Sequence, residues 1–478
     1  MSEIKRNFLY SSILTTANYI FPLLTYPYIS RVLGVNKIGL CNFIDSVINY
    51  FILFSMMGIT AIGIREIAKY KEDREQRSQI FSSLLILNGI STAIAFVLLI
   101  ISIYTIPTLY THKELMFVGV FKLIFNYLLI DWLYRGLENF KYVTIRTLIV
   151  KFLYVIFVFI LIRKENDYFI YYLLSCLMIV INAILNIRYA KKFVNFSFKH
   201  VKIKTFINSF FILGFYTLLT SMYTSFNVAY LGFITNETEV GYYSTATKLY
   251  SILLALFSAF TGVLLPRMSS LLAENKIDEF KSLLYKSVNV LFTFSIPTII
   301  ISTIMSPEII HIIAGKGYEG AIIPMRIVMP LMLIIGYEQI LVIQTLIPLK
   351  KDKVILHNSI LGAIVGITMN IILVSTYKSI GSSIVWVISE ISVLLAAQYS
   401  VTKFTKVNFP CKYLIKNFFY HIPLAICIWI IHCTKIDPFI SLSLAGFITL
   451  IYCFTIQKFI LKNEIILQLC SKITNRHK

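Results

Sequence analysis

Seven charged side chains lie inside stretches that are otherwise apolar: Asp45, Lys122, Asp131, Lys151, Lys248, Glu338 and Glu390. Arg31, Arg146 and Arg326 lie nearer the ends of such stretches. A charge at the centre of a bilayer costs about 2.5–3.5 kcal/mol on insertion scales, so it usually faces water, a partner or a ligand. Arginine grips an oxyanion with two parallel donors, and lysine meets one as a point charge. Arg31, Lys122, Lys151, Lys248 and Arg326 are therefore candidates to hold an anionic substrate in a cavity. Asp45, Glu338 and Glu390 are candidates for gating, or for binding a coupling proton or sodium ion. Each has a plainer alternative. Arg31 and Arg326 sit where a long side chain can snorkel to the headgroups. Lys248 and Asp45 can pair with each other or elsewhere, and Glu338 and Glu390 can be hydrogen-bonded packing carboxyls. Asp131 and Arg135 are spaced for a local ion pair on one helix face.

The elements that carry these charges are long and apolar. Of 478 residues, 58% are hydrophobic and 14% charged, against about 25% charged in soluble chains. Blocks of the roughly 20 apolar residues that a spanning helix needs recur about fourteen times, from Phe8–Leu33 to Pro438–Ile460. The expected class is an all-α polytopic membrane protein with about 14 transmembrane helices. Connections alternate in charge. One side, with Arg65, Lys69, Lys71, Arg74 and Arg77 in its first loop, carries roughly 31 Lys and Arg, the other roughly 8. Basic loops stay inside, so an even helix number puts both termini in the cytoplasm of a bacterial inner membrane. Much of the net charge of +21 is then a topology signal that calls for no nucleic acid.

Other chemistries lack their residues. The seven Cys, from Cys41 to Cys470, form no CxxC or metal-spaced set, so no disulfide framework and no metal site is expected. No P-loop occurs, which argues against an ATP-driven pump, and no organic cofactor is implied. The N-terminus has no small-residue cleavage site, and its first apolar block reads as a retained helix. The longest outer connection, Ser306–Ile323, is about 18 residues, too short for an outer catalytic domain. Weak internal symmetry places Gly39 opposite Gly241 and Arg65 opposite Arg267, a common offset of 202 residues, as two halves on one plan would give. The expected division is 1–200 and 201–406, six helices each, then 407–478 with helices thirteen and fourteen and a cytoplasmic tail.

Four stretches carry a family resemblance: Tyr26-Pro27-Tyr28-Ile29-Ser30-Arg31-Val32-Leu33-Gly34, Gly63-Ile64-Arg65-Glu66-Ile67-Ala68-Lys69, Asp131-Trp132-Leu133-Tyr134-Arg135-Gly136-Leu137-Glu138-Asn139-Phe140, and Ile313-Ala314-Gly315-Lys316-Gly317-Tyr318. In order and spacing they resemble the Wzx family of O-antigen and capsule flippases, in the multidrug/oligosaccharidyl-lipid/polysaccharide exporter superfamily. The resemblance implies two six-helix bundles in a V plus an extra C-terminal helix pair. It implies an undecaprenyl-diphosphate-linked oligosaccharide as substrate, moved to the outer leaflet by alternating access. Membrane lipids, a polysaccharide polymerase and other assembly proteins are the implied partners. Two rivals stand beside it. A multidrug exporter of the same superfamily would favour cavity carboxylates over the cations found here. A membrane-embedded polymerase, the enzyme alternative, would need a clustered acid–base constellation that is not apparent.

Several smaller features complete the reading. Pro22, Pro27, Pro297 and Pro330 can bend their helices. Gly362 and Gly366 form a GxxxG, read as close helix packing. Trp132, Trp386 and Trp429 include candidates for interface anchors. His357 and His421 are expected to pack rather than ligate.

Overall fold

The computed structural model describes residues 3–197 and 201–460; Lys199, Cys470 and the expected tail lie outside the described residues. No strand occurs among them. The chain divides into two compact units, Met1–Gly241 and Tyr242–Lys478.

The first unit contains α1 (Glu3–Met56), α2 (Ile59–Lys69), α3 (Arg74–Thr105), α4 (Pro107–Thr111), α5 (Lys113–Tyr127), α6 (Asp131–Gly136), α7 (Phe140–Leu161), α8 (Tyr168–Ala190), α9 (Lys204–Thr224) and α10 (Phe226–Ile234). It also takes the first turn of α11 (Glu237–Ala273). The second unit holds the rest of α11, then α12 (Ile277–Ile304), α13 (Ser306–Ile313), α14 (Ile322–Val328) and α15 (Leu331–Leu341). It closes with α16 (Asp352–Thr405), α17 (Cys411–Cys433) and α18 (Pro438–Thr455).

Twelve helices among the described residues are long and apolar enough to cross a membrane. Two of them are too long for one crossing. A helix of 54 residues, the length of α1 and of α16, would measure about 80 Å against a hydrocarbon core of about 30 Å. Each is broken inside. In α1 the break is Gly34 (φ 71°, ψ 169°), a backbone conformation that glycine reaches without a Cβ clash. Beyond it the chain folds back. Tyr28 donates to the Ile162 carbonyl at 2.6 Å, and Lys37 lies 4.9 Å from the Tyr168 ring centre, so residues on both sides of Gly34 meet the α7–α8 turn. In α16 the break is Lys378 (φ 49°, ψ −126°). The Leu373 carbonyl oxygen sits 2.7 Å from the place a Cβ on Gly381 would take. Eight residues along a straight helix would separate these by about 12 Å.

The N-terminal arm of α1 runs parallel to α7 in fixed register. Thr144 donates to the Tyr10 carbonyl at 3.0 Å, Lys151 to Asn18 at 2.6 Å and Tyr28 to Ile162, at sequence offsets of 134, 133 and 134. Two stretches named in the sequence pack on one another. A Cβ on Gly63 of α2 would lie 2.4 Å from the Trp132 ring, and one on Gly136 of α6 would lie 2.8 Å from Ile67. Small residues allow this approach, the usual device where lipid-solvated helices touch. Trp132 and Trp386 are buried and so are not interface anchors, whereas Trp429 is exposed. Pro330 separates α14 from α15, Pro22 and Pro27 lie in the arm of α1 before Gly34, and Pro297 lies within α12. Exposed Phe152, Phe418, Phe419 and Leu450 form surface that lipid, not water, solvates well.

Candidate functional site

In the first unit the candidate charges sit on α1, α5 and α7. Lys122 of α5 donates to Asp45 at 2.5 Å and to Asn49 at 3.0 Å, and Asn49 donates to Asp45 at 3.0 Å. Asp45 and Asn49, four apart, present both acceptors on one face of the C-terminal arm of α1. Within this unit the ionic partner of Asp45 is Lys122. The Lys122 side chain is 12% exposed and Asp45 35%, so the ammonium is the more enclosed of the two.

Lys151 differs from Lys122 in its partner. It is the twelfth of the 22 residues of α7, the middle of a spanning helix, and it is half-buried. Its hydrogen bond goes to the neutral Asn18 amide oxygen, and no carboxylate pairs with it among the described residues. Its charge is therefore positioned but not cancelled. Arg31, exposed beside the Gly34 break, donates to the Pro27 carbonyl at 2.5 Å.

Asp131 and Arg135 do not form the local pair expected from their spacing. Asp131 bonds instead to the buried Arg146 of α7 at 3.1 Å and accepts from Asn186 of α8 at 2.8 Å. Arg146 also donates to the Asn186 side chain and to Thr147. A charge so enclosed is tolerable only with ionic and hydrogen-bond partners, whereas Arg135 is exposed. Asn186 was missed by sequence reasoning. Its spacing of four from Asn182, on one face of an apolar helix, was the available signal.

In the second unit three consecutive polar residues of α15 reach three different places. Tyr337 donates to Gln398 of α16 at 2.6 Å, and Gln339 donates to Ser258 of α11 at 2.8 Å. Between them Glu338 lies within electrostatic reach of Glu390 of α16. Trp386 donates to Glu390 at 3.0 Å, and the Tyr250 ring of α11 stands edge-on to Trp386 at 5.1 Å. The structure joins these acids, which the sequence could only name separately. Lys248 lies half-buried on α11, two residues before Tyr250. Arg326 of α14 donates to the Thr303 carbonyl at 3.1 Å and to Ser306 at 2.7 Å, tying α14 to the α12–α13 corner. His421 is buried and bonds the Asn417 carbonyl at 2.7 Å, as a packing histidine does. No cluster of three or more metal-ligating side chains occurs among the described residues.

Helices of spanning length, broken hairpin helices and charged groups held by polar partners inside them define a polytopic membrane protein of the transporter type. The profile of the family described as polysaccharide biosynthesis protein matches residues 4–272, more than half of the chain, and the chain belongs to that family. Among curated proteins it is 24% identical to one assigned as an O-antigen transporter in Escherichia coli (strain K12), over 81% of this chain and 94% of that protein. It is 26% identical to another so assigned in Shigella dysenteriae, over 82% and 98%. Among solved structures the lipid II flippase MurJ in an inward closed conformation superposes with a TM-score of 0.77 at 16% identity, covering 95% of this chain and 99% of that one. That likeness shows the fold.

Proposed function

We propose that this chain is a flippase that carries an undecaprenyl-diphosphate-linked oligosaccharide from the cytoplasmic to the outer leaflet of the bacterial inner membrane by alternating access. The family and the relatives assigned as O-antigen transporters support the lipid-linked sugar class. The observation that carries the substrate reading is Lys151. A lysine at the middle of a spanning helix with only a neutral partner keeps its charge available to a diphosphate, which would otherwise lose its hydration on crossing. Lys122 holds a carboxylate, so its service to substrate requires Asp45 to let go, which makes that pair a candidate gate. Arg31, Lys248 and Arg326 are further cations for the same path. A polymerase and other assembly proteins are the proposed partners outside the chain.

The reading is tested by surface polysaccharide at matched protein level. Lys151→Ala and Lys248→Ala should each cut export at least about tenfold, the size expected for a lost charge-assisted bond of roughly 1.5–3 kcal/mol. The corresponding Arg variants should retain part of it. Full export by both alanine variants would remove the substrate role of these cations. A change in the mass of the lipid-linked sugar after passage would instead mark an enzyme.

We further propose that the Glu338–Glu390 pair binds the coupling proton. The closeness of the two acids and the Trp386 donor support a site that exchanges one proton, and the π-helical turn Val342–Leu346 just after it is a form of backbone frequent at functional sites.

A further inference from the structure

The Asp131–Arg146–Asn186 network borders a cavity of about 470 Å³ on the flank of α7 and α8, within the roughly 300–1,000 Å³ of small-molecule sites. Its lining is of two kinds. Asn139, Lys141 and Arg146 are polar or basic, while Ile145, Ile149 and Leu185 are apolar. Those three are 42%, 56% and 38% exposed, an apolar surface beside the basic residues. Tyr142 and Tyr189 stack at 3.9 Å between centroids and also line the cavity. Arg146 is built into this site rather than lying on it. Its side chain is 4% exposed, and its Nε is buried with no hydrogen-bond partner, although the rest of the guanidinium is fully engaged. Lys141 is exposed and forms no ion pair among the described residues. A second cavity of about 410 Å³ shares Asn139 and Lys141 and brings Arg6, Lys71 and Arg77 against Glu72 and Glu138. The basic residues therefore lie in an electropositive surround.

We propose that this cavity binds one anionic phospholipid of the inner leaflet. Its phosphate would take the exposed Lys141 ammonium, with the buried Arg146 guanidinium adding positive charge behind it, and one acyl chain would lie along Ile145, Ile149 and Leu185. Charge complementarity selects the headgroup, and the apolar surface selects a lipid over a free anion. Basic pockets between spanning helices on the cytoplasmic side hold anionic headgroups in this manner. Lys151 is not among the lining residues, and the proposed occupant is a bound lipid and not the transported one. The leaflet assignment rests on the proposed orientation of the chain. The binding itself does not, because it is measured without sidedness.

The test is native mass spectrometry of the full chain in detergent, titrated with dioleoyl phosphatidylglycerol, dioleoyl phosphatidylcholine or inorganic phosphate. The parent should hold one phosphatidylglycerol at least about fivefold more tightly than phosphatidylcholine, the effect of about one basic contact. Lys141→Glu should abolish that preference, and Lys353→Glu, the same charge change in the other unit, should leave it intact. Ile149→Trp, which reshapes the apolar surface without altering charge, should weaken both lipids. Equal retention of the two lipids by the parent, or an unchanged preference in Lys141→Glu, would overturn the proposal. So would displacement of phosphatidylglycerol by millimolar inorganic phosphate together with a neutral Ile149→Trp, which would mark a free-anion site.

Discussion

The Lys122 ammonium lies 2.5 Å from the Asp45 carboxylate and joins α5 to the C-terminal arm of α1 across 77 residues of sequence. Asn49 bridges the two, accepting from the lysine and donating to the aspartate. The arrangement closes a hydrogen-bonded triangle around one ion pair.

Removing either partner leaves the other charge inside the helices. Asp45→Asn or Lys122→Met alone should lower the thermal stability of the purified protein, and the double variant should cost less than the two together. A coupling of at least about 1 kcal/mol is expected for groups in one network. A double-variant cycle with no coupling would show that the pair contributes nothing to the fold.

Arg146 should be the most sensitive of the basic residues. Breaking a buried pair by deleting one partner costs about 3–5 kcal/mol, so Arg146→Ala should fail to accumulate or unfold well below the parent. Arg135→Ala, exposed and outside the network, should behave as the parent. Melting in detergent distinguishes them, and equal loss in both would return Asp131 to a local pairing with Arg135.

Glu338→Gln and Glu390→Gln should each uncouple export from the proton gradient while leaving the protein folded, because a glutamine can still hydrogen-bond but cannot exchange the proton. The measurement is surface polysaccharide at several imposed proton and sodium gradients. Variants that respond to both as the parent does would place coupling elsewhere.

Orientation is checked with single cysteines at Glu237, Lys316 and Glu274 in a cysteine-free variant, labelled in intact cells by an impermeant thiol reagent. The first two should label and the third should not. Labelling at Glu274 would invert the map from α11 onward.

The helical class was legible because spanning helices must be apolar over their whole length, and the break in α1 because Gly34 opens a short polar turn, Val35-Asn36-Lys37. The turn even touches its counterpart: Asn36 donates to Thr238 at 3.4 Å across an offset of 202 residues, the offset read from the sequence as a repeat. The pairings were not legible. Asp131 has a suitably spaced arginine on its own face at Arg135, and burial chose Arg146 instead, on the next helix. Nothing in the neighbourhood of Glu338 names Glu390, 52 residues away, because the chain doubles back at Lys378 between them. Local spacing reports which charges share a helix face and not which helix arrives opposite.

The parallel register of α1 and α7 has a consequence in time. Asn18 leaves the ribosome 133 residues before its partner Lys151. At synthesis rates of about 5–20 residues per second, α1 waits about 7–27 seconds for α7. During that interval its amide has lipid, an insertion factor or another nascent helix for company. A mutation that weakens the Asn18–Lys151 contact would therefore act first on how many chains reach the membrane correctly assembled, before any assay of transport could register it.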